Sequence, residues 1–260
     1  MGDDFYLTLP SNAGNNPNSS SSFRVTLPRG IKLTGAWEAA LVELIYPYSW
    51  YNVPAKPTVA IYIEAPVKFG DEFRSKLYIC PLKAGHYSKI EDLIAAMIKT
   101  IPAEIRDKVI LRYDSNANRV HIRLLKPVTA IEISDPLLYI LGYNVSTFGY
   151  SYAKDNPGVA PHPPDMRAGL SIFYVYCDVV EQSVIGDKLA SLLRSVAVSG
   201  KFGDIIHSSF DHPHYVPVLK KDFDSIEIAI KTDQNEPVAL EYGKTLVKLH
   251  FRRNRSSLFS

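Results

Sequence analysis

The segment HSSFDHPHY, residues 207–215, places His207, Asp211, His212 and His214 within nine positions. All four are residue types that bind metals or move protons. On an extended chain His212 and His214 point the same way, because strand side chains alternate with period two. Together with Asp211 and the more distant His207, they offer the donor set of a zinc or iron site. Such a site needs three or four convergent ligands, and spacing within a loop imposes no geometry. Pro213 and the run FDHPH read as an exposed turn. The four are therefore weak metal candidates. The three histidines are expected to lie at a surface or an interface, with no catalytic residue, metal or cofactor assigned.

Other chemistry-bearing residues lead elsewhere. No GxSxG, HExxH, paired CxxC or phosphate-binding glycine loop occurs in the chain. Asp222 and Asp224 flank Phe223 just before a strand, at positions that favour aspartate in turns. Trp50 and the adjacent Tyr51 could stack on a sugar or a base, or anchor a core or a subunit contact. They are binding or interface candidates. So are Arg252, Arg253 and Arg255, which gather the positive charge in FRRNRSSLFS. A solvated tail is the plain reading of those arginines, and an anchor for phosphate or an acidic partner is the other.

The elements that position these residues are mostly strands. The 260 residues suffice for one large or two modest domains, and 46% hydrophobic with 22% charged is an ordinary globular composition. A net charge of +2 gives no footprint for nucleic acid beyond the basic tail. Cys80 and Cys177 each lie in an apolar run and read as buried thiols, with a disulfide between them left open. MGDDFYLTLP lacks a basic stretch followed by an apolar core, so no signal peptide or membrane insertion is expected, and the chain should be made and kept on the cytosolic side or in an assembly built there. Sixteen tyrosines and eighteen dispersed prolines suit short strands, irregular loops and protein contacts.

Period-two alternation recurs along the chain. FYLTL faces Phe5, Leu7 and Leu9 one way; FRVTL faces Phe23, Val25 and Leu27. Between them residues 11–22 read as a long flexible loop. WEAALVELIYP is apolar on both faces except at Glu38 and Glu43, as in a central strand. TVAIYIEAP, SIFYVYCDVVE, SIEIAIK and TLVKLHFRR continue the pattern, and HYVPVLK, interrupted by Pro217, should be an edge strand or lie beside a bulge. GDKLASLLRSVAV fits either a short helix or an extended run. Residues 68–150 differ. They read as strand, helix, hairpin, strand and short helix, the main helix starting at a Ser88/Glu91 capping box and ending at Pro102. A proline-rich loop over 150–169 marks a boundary.

The expected fold is mainly β: a sandwich formed by 1–67 and 151–260, with an α+β subdomain, 68–150, inserted. Eight or nine strands outside the insert fit a single jelly roll, and an immunoglobulin-like sandwich would show the same periodicity.

The opening FYLTLPSN and WEAALVELIYPYSWYN, the middle GDKLASLLRSVAVSGKFGDIIHSSF and the closing HYVPVLKKDFDSIEIAIKTDQNEPVALEYGKTLVKLHFRR resemble the minor capsid (penton) protein of the Polinton, or Maverick, transposons and related double-stranded DNA viruses. The resemblance implies a structural jelly-roll protein of the virion capsid that is not an enzyme. It implies homopentamers at five-fold vertices, beside a double-jelly-roll major capsid protein. A host receptor or glycan is a further partner to consider, and a carbohydrate- or receptor-binding module is the alternative function. A metal-dependent enzyme built on 207–214 is the third reading.

Overall fold

In the computed structural model, residues 3–14, 18–55, 60–70, 72–143 and 158–254 are described. The chain opens with β1 (Asp4–Pro10), β2 (Ser22–Lys32) and β3 (Trp37–Pro47). Next come β4 (Ala60–Phe69), β5 (Glu72–Pro81), α1 (Ile90–Thr100), α2 (Ala103–Arg106), β6 (Val109–Asp114), β7 (Arg119–Leu124), β8 (Ala130–Ile133), α3 (Asp135–Ile140) and β9 (Gly158–Val159). It closes with β10 (Ile172–Cys177), β11 (Ser183–Ile185), β12 (Lys188–Ala190), β13 (Leu192–Ala197), β14 (Ile205–Ser209), β15 (Val216–Pro217), β16 (Asp222–Lys231) and β17 (Leu246–Arg253).

The chain divides into two compact units, Met1–Trp50 with Leu170–Ser260, and Tyr51–Gly169. The first holds two large antiparallel sheets, ordered β1-β17-β3-β14 and β13-β10-β16-β2, with β15 pairing β3 beyond β14, and a small β11-β12 hairpin. In chain order the eight long strands cross between the sheets as the two Greek keys of a jelly roll do, which sets aside the immunoglobulin wiring. Each strand turns its apolar parity inward. Phe23, Phe173, Ile226, Ile228, Leu249 and Phe251 are all essentially inaccessible and belong to one cluster. Phe251 stacks on Phe5 at 5.0 Å and 3°, and Phe173 meets Tyr46 edge-on at 5.1 Å. Side chains of this size contribute about 1.5–3 kcal/mol each on burial, so the alternation alone supplies the drive for the sandwich.

The second unit has its own core. Ile61 and Ile63 of β4, Tyr78 and Cys80 of β5, Leu93 and Met97 of α1, and Leu138 of α3 pack together. Its strands form two three-stranded sheets, β5-β4-β8 and β6-β7-β9. The expected boundary at 67/68 lies instead after Trp50. The reason is pairing: TVAIYIEAP alternates like a sandwich strand, but β4 pairs with β5 and β8. Its place among the eight is taken by β14, whose IIHSS carries too few apolar residues to announce a strand. Residues 188–197 are extended, in β12 and β13. α1 begins without the expected box: Lys89 is its N-cap residue, and no side chain caps it. Gly142 ends α3 at φ +83°, where a Cβ would meet the His162 carbonyl oxygen at 2.2 Å, so only glycine fits. The expected flexible loop at 11–22 is tied in where it is described: Asn18 donates to Ala13 and Arg24 carbonyls, and Ser20 donates to that of Gly243. Of the loop at 150–169, residues 150–157 lie outside the described residues. No helix among the described residues is long and apolar enough to cross a membrane.

Candidate functional site

Inward placement of Val247, Leu249 and Phe251 sends Lys248, His250 and Arg252 to the outer face of the β1-β17-β3-β14 sheet. The register then decides their neighbours. Arg252 stands between Asp4 and Glu38, His250 between Tyr6 and Ala40, and Lys248 between Thr8 and Glu43. His250 stacks on Tyr6 with ring centroids 4.3 Å apart. Its Nε2 lies 3.4 Å from the Asp4 carboxylate and its Nδ1 lies 2.8 Å from the Tyr215 hydroxyl. Arg252 donates from Nε to Glu38 and lays its guanidinium 3.4 Å from the Tyr215 ring centroid. Tyr215, just before β15, is thereby clamped by two side chains of β17. The loop that follows β14 is pinned across the outer face of its own sheet.

The histidine stretch is divided by this arrangement. His207 sits on β14 and its Nε2 is 3.1 Å from Glu43, which also takes an ion pair from Lys248 at 3.4 Å. Asp211, His212 and His214 follow in the loop and are exposed. The His212 carbonyl accepts a hydrogen bond from Arg194, whose guanidinium lies 4.0 Å over Phe210. Burial against that ring lowers the Arg194 pKa. Among the described residues, no three His, Cys, Asp or Glu side chains gather so as to hold a metal ion. The donors that looked contiguous in sequence are separated by the end of a strand, with His207 on β14 against Glu43 and Asp211, His212 and His214 in the exposed loop beyond it.

The other candidates also fall to separate places. Trp50 is buried, stacked on Tyr48 at 3.7 Å and edge-on to Phe173 at 5.4 Å. Trp50 is therefore a core residue and no part of a stacking platform with Tyr51, which is half-buried. Arg252 is committed to Glu38 and Tyr215. Arg253 is exposed at the end of β17, its guanidinium beside Gly35. Arg255 lies outside the described residues. Cys80 and Cys177 are both free and buried, so the disulfide left open by the sequence is absent.

Sequence reasoning passed over Tyr6, Glu38, Glu43, Tyr215 and His250. The signal was present in TLVKLHFRR, where the outward parity reads Lys, His, Arg. What no single strand could reveal was the register that sets a carboxylate or an aromatic ring beside each of them.

The arrangement is one of mutual satisfaction. Carboxylate, cation and ring meet in pairs, which is the chemistry of an internally paired surface. The free backbone edges lie elsewhere: β1 and β14 bound one sheet, β2 and β13 the other. β1 and β2 are consecutive in the chain, and residues 198–204 join β13 to β14 directly. The sandwich thus has two distinct lateral sides.

No protein-family model matches the chain. No curated protein matches it. Among solved structures, a crystal structure of the selenomethionine-labelled mavirus penton protein is similar over 97% of this chain and 100% of that chain, with 11% sequence identity and a TM-score of 0.46.

Proposed function

We propose that the chain is a structural capsid subunit that assembles as a homopentamer at the five-fold vertices of an icosahedral shell, next to a double-jelly-roll major capsid protein. The observation that carries this reading is the jelly-roll strand order, which leaves two unlike lateral sides, β1/β2 and β13/β14. A head-to-tail contact between unlike sides closes into a ring when the rotation per subunit is a fraction of a turn. A rigid sandwich whose outer face is internally paired suits that task, and the sequence resemblance at both ends supports it. The virion would be its location, and the Polinton or Maverick affiliation belongs to the same proposal.

The metal-dependent reading of 207–214 lacks a convergent ligand set. The binding-module reading loses its platform with Trp50 in the core. Any receptor or glycan contact would have to use other surfaces.

The deciding measurement is mass in solution, by light scattering on a size-exclusion peak, with zinc and iron determined on the same fraction. The expected result is a species of about five times 29.1 kDa, alone or once the major capsid protein is added. A chain that stays monomeric and is absent from vertices of particles formed with that protein would sink the proposal. So would one equivalent of zinc or iron that is lost on His212→Ala with His214→Ala.

A further inference from the structure

The β5-β4-β8 sheet of the second unit has one face on the core, and its other face carries exposed apolar side chains on the β5 side. Ile61, Ile63, Tyr78, Cys80 and Ile133 line the buried side. The opposite parity brings out Leu77 and Ile79 of β5, Tyr62 and Glu64 of β4, and Glu132 of β8. Register places Ile79 beside Tyr62 and Tyr62 beside Glu132, with Leu77 beside Glu64. Leu77 is 58% exposed and Ile79 62% exposed, although each is a large apolar side chain on a regular strand. Apolar pairs held out in water like this mark interaction surfaces.

Two carboxylates, Glu64 and Glu132, stand on this face beside its apolar residues. Several outward carboxylates of the sandwich are answered by cations: Glu38 by Arg252, Glu43 by Lys248, Glu227 by Arg24 and Asp178 by Lys220. Glu64 accepts only from the neutral Ser75 hydroxyl, and neither Glu64 nor Glu132 has an ion-pair partner among the described residues. The next lysine outward on β4 is Lys68, four positions from Glu64 and about 13 Å along the strand.

We propose that this face docks a segment of another protein that carries apolar side chains beside lysine or arginine, the apolar ones over Leu77, Ile79 and Tyr62 and the cations over Glu64 and Glu132. Two features select this occupant. A second copy packed face to face on a two-fold axis would present the same carboxylates and, among the described residues, no cation beside them, so Glu64 and Glu132 would gain no partner. Addition of a strand to the open edge of β5 is discouraged by Arg74 and Lys76, charged residues of the kind that protect edges. The segment therefore lies across the sheet. This inference concerns the second unit alone and does not depend on the vertex proposal.

The test titrates the full chain with two synthetic peptides of about 14 residues, roughly four helical turns. One has leucine and lysine at amphipathic spacing; the other has glutamate in place of lysine. The leucine–lysine peptide should bind at least tenfold more tightly than its acidic counterpart. Ile79→Ser, and separately Glu64→Lys with Glu132→Lys, should each weaken it at least tenfold while the thermal transition stays in place. Equal binding by these variants, equal binding of both peptides, or no binding of the basic peptide overturns the proposal. Self-association that Ile79→Ser abolishes also overturns it, in favour of a second copy.

Discussion

The Tyr215 hydroxyl lies 2.8 Å from His250 Nδ1, joining the loop after β14 to the central strand β17. With Nε2 turned to the Asp4 carboxylate, the imidazole proton belongs on Nε2, and Nδ1 accepts from the phenol. The His250 side chain is only 12% exposed, so water does not readily replace the phenol. Tyr215→Phe keeps the ring under Arg252 and removes only that donor. The expected loss is about 1 kcal/mol, with up to about 3 if Nδ1 stays buried and unpaired. Urea denaturation of the variant against the parent measures it.

The two units should unfold with separable signals. Trp37 and Trp50 are the chain's two tryptophans, and both belong to the sandwich core. Phe251→Ala, in the same core, should cost about 3–5 kcal/mol and move the tryptophan fluorescence transition. Leu93→Ala, in the core around α1, should cost about 2–5 kcal/mol and move the circular-dichroism signal of the helices. Tryptophan transitions displaced equally by both variants would show a single cooperative body instead.

How much of this was legible depends on the kind of information each feature needs. β16 and β17 were plain in sequence, because Ile226, Ile228 and Ile230, then Val247, Leu249 and Phe251, alternate without a break. TVAIYIEAP was equally plain as a strand, yet alternation says nothing about which sheet a strand joins, and β4 went to the other unit. β14 was missed because His207, Ser208 and Ser209 look like a loop; pairing with β3 makes it a strand. Trp50, in SWYN after a strand break, was open in sequence between a stacking platform and a core or subunit anchor, and its burial depends on Phe173, far along the chain. The candidate site shows the same limit. Arg252 could be read as outward-facing, but its partners Glu38 and Tyr215 arrive only through register.

Replacement of residues 51–169 by a short flexible linker should leave a folded jelly roll. The division falls where pairing changes partners, and every one of the eight long strands of the sandwich lies outside the excised segment. The excised chain should keep a cooperative tryptophan transition and a monodisperse scattering peak. Loss of the transition, or continuous red-shifted fluorescence at all denaturant concentrations, would show that the sandwich needs the second unit to fold.

Cys177 supplies a dependence on pH whose sign can be worked out. Burial between the sheets raises its thiol from 9.0 to about 12. The unfolded chain therefore loses this proton above pH 9.0 while the folded chain keeps it. The folded state then binds more protons, and stability must fall as pH rises. The contribution of this group is fully present below pH 9.0 and declines by about 1.4 kcal/mol per unit toward pH 12. Cys177→Ala leaves a small cavity but removes that decline. Urea midpoints of parent and variant, followed by tryptophan fluorescence between pH 8 and pH 10.5, should converge as the pH rises. Curves that stay parallel would mean that the thiol ionises in the folded state as readily as in the unfolded one, and that its surroundings admit water.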